Sequence, residues 1–208
     1  SSGGLTAGRV SPETALFPYV PVDRIHESNP HTGCKTILRV GLDDQQVAWE
    51  PFNREHDGRF ATSRNLYKSV LGNKLCFEEV NHDLALAFRY TWATSDRYGF
   101  VRLCELQNLG DDTLRVELLD GLQNILPAGT PLLVQTNTSN LVDAYKWTEL
   151  DVGSGLAMYA LYSRISDRAE PSESLRANVV YGLGLDAPTV LLSSLQLDAF
   201  RRGEPLVQ

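Results

Sequence analysis

The sequence predicts an all-β protein, a large antiparallel β-sandwich (super-sandwich) followed by a single C-terminal helix of linker type. Three observations carry that reading. About ten strand-like runs succeed one another, separated by clusters of Gly, Pro, Asn, Asp and Ser. Residues 84–92 place Leu84, Leu86, Phe88, Tyr90 and Trp92 at strict alternation, the period of a half-buried strand. Residues 99–127 hold two apolar-rich runs, 100–107 and 113–120, around the polar stretch Asn108-Leu109-Gly110-Asp111-Asp112. That stretch reads as a hairpin loop, with Gly110 free to take positive φ. No fixed-period repeat appears, and the order of elements argues against a βαβ array.

At 208 residues the chain suits one large β domain or two small ones. The expected division is an extended arm over residues 1–33, a sandwich over 34–190, and a helix over 191–208 that starts a linker to a further domain. A hydrophobic share of 42% and a charged share of 22% are those of an ordinary globular domain. The net charge of −7 works against a nucleic-acid partner, because phosphate backbones attract clustered cations and the densest pair here is Arg201-Arg202. No run approaches the roughly 18 apolar residues of a membrane span. The opening Ser1-Ser2-Gly3-Gly4 lacks an initiator Met and the basic and apolar stretches of a signal peptide, so a cut inside a longer protein is expected. Cys34, Cys76 and Cys104 are odd in number and far apart, with no CxxC pair. Reduced thiols in a cytoplasmic protein are the simplest expectation, and no metal or cofactor is expected.

Taken in order, Pro12, Pro18, Pro21 and Pro30 break any long element in the first 33 residues. His26 and His31 flank Asn29-Pro30, which favours a turn over a metal pair. Residues 35–41 read as a strand with Thr36, Leu38 and Val40 on one face, returning through 46–51 with Trp49. Residues 53–63 form a charged loop; its Glu55-His56-Asp57 has acid–base types, although a solvated loop is the stronger expectation. Runs 65–71 and 74–80 are strands joined through Gly72-Asn73. Residues 81–92 then form the central strand, whose other face is Ala85, Ala87, Arg89 and Thr91.

Beyond Pro127, a short strand is expected over 132–135 and a polar loop over 136–140. A helical turn near 141–143 follows, and a strand starts at Ala144. Residues 151–155 are a hairpin loop, 156–164 a strand buried on both faces, 169–174 a Pro-containing acidic loop and 175–182 another strand. In 193–203, Ser193 and Gln196 form a capping-box pattern, Arg201 and Arg202 fill the last turn, and Gly203 follows as the stop.

Several of these runs carry a family resemblance. They are Asn65-Leu66-Tyr67, Leu71-Gly72-Asn73, Glu79-Val80-Asn81-His82-Asp83, Phe88-Arg89-Tyr90, Leu106-Gln107-Asn108-Leu109-Gly110 and Arg115-Val116-Glu117-Leu118-Leu119. Together they resemble the N-terminal super-sandwich of large carbohydrate-active proteins of the cellobiose phosphorylase type, a galactose mutarotase-like fold. The resemblance covers residues 35–185 and is structural rather than catalytic. It implies a module that helps to shape a glucan or oligosaccharide site and a dimer contact, with the catalytic acid on a following helical barrel. The aldose epimerases of the same fold use a His and a Glu, but their His-Pro motif is absent here.

The leading expectation is therefore a non-catalytic carbohydrate-binding module, with Asn81, His82, Arg89, Trp92 and Trp147 as the sugar-contacting candidates and Tyr67 and Tyr98 as further exposed types. For each aromatic the competing role is core packing. A mutarotase-like enzyme drawing on His82, Asp83, Glu78 and Glu79 is the second expectation. A purely structural dimerisation domain is the third.

Overall fold

The computed structural model describes residues 14–21, 24–42, 45–165 and 174–206, with the backbone alone for Ile25, His26 and Leu42. Ten strands are present among them: β1 Gly33–Leu42, β2 Gln45–Trp49, β3 Thr62–Lys68, β4 Lys74–Asn81, β5 Leu86–Ser95, β6 Gly99–Asn108, β7 Arg115–Gln123, β8 Lys146–Asp151, β9 Leu156–Leu161 and β10 Ala177–Val180. Four short helices accompany them: α1 Ile25–Ser28, α2 Leu132–Asn137, α3 Ser139–Tyr145 and α4 Gln196–Arg202. The strands form three sheets, ordered β2-β1-β7, β3-β4-β5-β6 and β10-β9-β8. The protein is all-β, and no helix among the described residues is long and apolar enough to cross a membrane.

The chain divides into two compact units. One is built on Cys34–Asp120, the other on Gly121–Gln208 with the described part of Leu5–Gly33. The first is a two-layer sandwich in which β3-β4-β5-β6 packs on β2-β1-β7. Alternation in β5 sends Leu86, Phe88, Tyr90 and Trp92 inward, each no more than 6% exposed. The other layer contributes Ile37, Leu38, Val40 and Trp49, all fully buried. Phe77 stacks on Tyr90 at 4.9 Å between ring centroids, and Phe52 meets Tyr90 edge-on at 5.3 Å.

Glu79, a carboxylate only 1% exposed, sits in this interior. It accepts from Trp49 Nε1 at 2.9 Å, from the Phe52 backbone N–H at 2.7 Å and from Arg64 Nε at 2.5 Å. Three donors, one of them a guanidinium, satisfy a charge that burial would otherwise make costly. The same contacts hold Phe52 at a φ of +67°, a conformation a bulky residue adopts only under constraint.

The antiparallel register β3–β4–β5–β6 is continuous, and the β1–β2 return and the β8–β9 hairpin around residues 152–155 form as expected. Other expectations are corrected. Residues 99–127 are not a hairpin: β6 pairs with β5 over ten residues, whereas β7 lies in the sheet of β1, so the connection crosses between layers. Alternation identifies a strand without naming its partner, and the preceding turn at Asp96-Arg97-Tyr98 had already committed β6 to β5. Gly110 is not at positive φ either. A Cβ there would sit 3.4 Å from the Ala85 Cβ, in ordinary contact, and the Leu109 N–H donates to the Ala85 carbonyl at 2.7 Å, which ties the loop to the β4–β5 turn. The left-handed residue is Ala85 itself, at φ +50°, in the turn that separates β4 from β5. Asn81 thus ends β4 rather than opening β5.

In the second unit, residues 132–135 are helical. Pro131 is extended at φ −63° and ψ 161° and supplies the entry to α2, and the Gln135 amide donates to the Thr130 carbonyl at 2.9 Å. A run of three apolar residues followed by Gln135 has no period of its own, and its neighbours decide. The polar stretch 136–140 belongs to α2 and α3 rather than to a loop, and β8 starts at Lys146. The Leu126 N–H binds the Leu16 carbonyl at 3.0 Å, and the Asn178 amide donates to the Leu126 carbonyl at 2.6 Å, which joins distant segments around Phe17, Ile125, Leu126, Ala157 and Leu161. β10 is confined to Ala177–Val180, and residues 169–173 of the expected acidic loop lie outside the described residues.

α4 stops as its sequence requires. Gly203 sits at φ +71°, with its N–H on the Phe200 carbonyl at 3.1 Å and the Glu204 N–H on that of Ala199 at 2.9 Å, a Schellman motif. Its start differs from the expected capping box. Ser193 Oγ accepts from the Leu195 N–H at 3.2 Å, and the helix begins only at Gln196 without a side-chain cap.

Candidate functional site

Strand alternation that sends Phe88 and Tyr90 inward sends Arg89 to the opposite face of the four-stranded sheet. Register places four residues side by side across that face: Asn65 on β3, Glu78 on β4, Arg89 on β5 and Glu105 on β6. Tyr67 and Gln107 share the face two residues away along their strands.

Glu78 is the centre of this row and is only 6% exposed. It accepts from Asn65 Nδ2 at 2.9 Å, from the Tyr67 hydroxyl at 2.9 Å and from Arg89 Nε. The Asn65 amide, together with the Arg89 and Tyr67 donors, holds its carboxyl below the usual carboxylate range, against the opposing effect of burial. Its hydrogen bond to Glu78 pushes the Tyr67 phenol up and holds the Arg89 guanidinium the more firmly in its charged form. Arg89 Nη1 continues the row to Glu105 Oε1 at 3.1 Å and Gln107 Oε1 at 2.8 Å. A buried, ionised Glu78 therefore fixes the guanidinium plane and the tyrosine hydroxyl together.

The rim of the row faces solvent. Tyr67 is 52% exposed, and the Glu105 side chain is 64% exposed. Among the described residues Arg89 Nη2, Asn65 Oδ1 and Gln107 Nε2 make no hydrogen bond, so donors and acceptors remain beside an aromatic ring. Such a set can read hydroxyl groups. Glu78, ionised and already taken by three donors, has no proton to give.

The five sequence-derived candidates do not converge. Arg89 lies in the row. Asn81 is fully buried, its Oδ1 accepting from the Leu84 N–H at 3.1 Å to close the β4–β5 turn. Trp92 is 6% exposed and packs edge-on against Phe100 at 6.3 Å. Both are therefore corrected from surface ligand contacts to interior residues: the alternation that brought them to notice is that of the core face. His82 is exposed in the turn, with Nε2 3.1 Å from Ser63 Oγ and its N–H on the Ala61 carbonyl at 2.8 Å. Trp147 belongs to the other unit, where it is 38% exposed and stacks on Tyr162 at 5.7 Å.

The acid–base candidates also separate. Glu78 and Glu79 occupy opposite faces, Glu79 is held in the core, and Asp83 accepts from the Ala61 N–H at 2.8 Å. Residues Arg54–His56 form a single 3₁₀ turn capped by Asn53 Oδ1 on the Glu55 N–H at 3.0 Å, and Asp57 pairs with Arg64 at 2.8 Å. Tyr98, 56% exposed, lies under the Arg97 guanidinium at 5.2 Å. Among the described residues no group of three His, Cys, Asp or Glu side chains is placed to hold a metal ion. Sequence reasoning passed over Asn65, Glu105 and Gln107. Their parity along β3 and β6 was readable, but which strand lies beside which was not.

The chain matches no known protein-family model and no curated protein.

Proposed function

We propose that this chain is a non-catalytic β-sandwich module of a larger carbohydrate-processing protein, one that helps to hold a glucan or oligosaccharide. The observation that carries the reading is the Asn65–Glu78–Arg89–Glu105 row with Tyr67 at its side. Planar polar groups with spare donors and acceptors, fixed by a buried carboxylate next to a half-exposed ring, suit the alternating C–H and hydroxyl faces of a pyranose. The resemblance of residues 35–185 to the super-sandwich of cellobiose phosphorylase-like proteins supports the same reading, as does the separation of the acid–base candidates. In this proposal the chain's partners are the saccharide, the rest of a longer polypeptide and a second copy at a dimer contact. Its compartment is the cytoplasm, where Cys34, Cys76 and Cys104 remain free thiols.

The test is a calorimetric titration of the protein with gluco-oligosaccharides at millimolar concentration, alongside its melting temperature. The proposal expects saturable heat and a raised melting temperature, both lost in Arg89→Ala and weakened in Tyr67→Ala. Unchanged heat and melting temperature for the parent protein would remove carbohydrate binding from the account.

A further inference from the structure

A half-buried arginine at the surface of a sheet is ordinarily an anion site, and the geometry around Arg89 argues for the opposite. Its Nε is held by Glu78 and its Nη1 by Glu105, so one cation stands between two carboxylates. The row therefore carries one more negative than positive charge, within a chain whose net charge is −7. The two carboxylates differ in what they leave open. Glu78 is buried and accepts from three donors, whereas Glu105 accepts, among the described residues, from Arg89 alone and points a mostly exposed carboxylate along the same face.

We infer that Glu105 sets the specificity of this face, accepting hydroxyl hydrogens beside the free Arg89 Nη2 and turning away saccharides that carry carboxylate, phosphate or sulfate. This rests on the carbohydrate reading above and narrows it to neutral saccharides. Two adjacent hydroxyls would bridge the pair, one accepting from Arg89 Nη2 and the other donating to Glu105. An acidic sugar would instead bring a like charge against a row with one carboxylate in excess, which in exposed surroundings disfavours it by about a factor of two to five. Glu78 acts through Arg89 as a positioning residue and does not itself meet the ligand.

The test compares maltopentaose and cellopentaose with an oligogalacturonate of equal length, by ligand-observed NMR on the protein and on Glu105→Gln. Binding of at least one neutral oligosaccharide is expected, with the oligogalacturonate about two- to fivefold weaker. That gap should shrink in Glu105→Gln and at raised ionic strength, where screening removes the repulsion. A parent protein that binds the oligogalacturonate as well as or better than the neutral ligands would overturn the inference and leave the carbohydrate reading standing. A gap that persists unchanged in Glu105→Gln would overturn the role of Glu105. If no saccharide binds, the inference and the reading beneath it both fall.

Discussion

Arg102 on β6 and Asp120 on β7 meet face to face across the two layers of the sandwich, Nη1 to Oδ2 at 2.7 Å and Nη2 to Oδ1 at 2.9 Å. Thr36 on β1 donates to the same carboxylate at 2.5 Å, and the Arg102 guanidinium lies 4.8 Å above the Tyr90 ring. The Arg102 side chain is 8% exposed and that of Asp120 18%. A paired, two-pronged contact of this kind fixes which strand of one layer stands over which strand of the other.

Removing Asp120 would leave a nearly buried guanidinium without its counter-charge. Asp120→Ala is expected to lower stability by about 3–5 kcal/mol, the range for breaking one side of a buried ion pair. Urea unfolding followed by far-UV circular dichroism measures it. A loss below about 1 kcal/mol would mean that the pair does not lock the layers.

Glu78 gives the fold a pH dependence of defined sign. Its folded carboxyl is held below the ordinary range, so the unfolded chain takes up the proton first as acid is added. The contribution is complete above about pH 4.3, the unfolded value, and is lost as pH falls through the lower folded one. Urea midpoints between pH 7 and pH 2 should therefore fall less steeply for Glu78→Gln than for the parent chain. Parallel curves would contradict the role given to the Asn65, Tyr67 and Arg89 donors.

Gly203 closes α4 in the left-handed region, where a Cβ is strained whatever the surrounding space. Gly203→Ala is expected to cost about 1 kcal/mol. A thermal melt against the parent chain reads it, and an unchanged midpoint would show that the Schellman closure adds nothing.

The three tryptophans differ in access. Trp49 is fully buried, Trp92 is 6% exposed, and Trp147 is 38% exposed against Tyr162. Acrylamide should therefore quench one emission component of the three, and Trp147→Phe should remove it. Residual quenching of the same size in that variant would place the accessible indole elsewhere.

What the sequence made legible follows from the range of the forces involved. Alternation is a property of a few consecutive residues, so β5 and its buried Leu86, Phe88, Tyr90 and Trp92 could be read directly. The stop of α4 was equally local. Strand partnership is not local, and this is why β6 and β7 read as a hairpin although they lie in different layers. The same limit governed the site. Arg89 could be named from its place on the polar side of β5, but Asn65, Glu105 and Gln107 join it only through the register of three neighbouring strands. Asn81 and Trp92 drew notice as ligand types, yet burial assigned them to a turn and to the core.

The most direct test of the account follows the Arg89 Nε–H and the Gln107 side-chain amide by two-dimensional ¹⁵N NMR while maltopentaose is added. Binding at the outer face predicts saturable shifts of both signals, with the interior Trp49 and Trp92 indole signals unmoved. Shifts absent from Arg89 and Gln107, or confined to Trp147, would contradict the assignment of carbohydrate binding to this face.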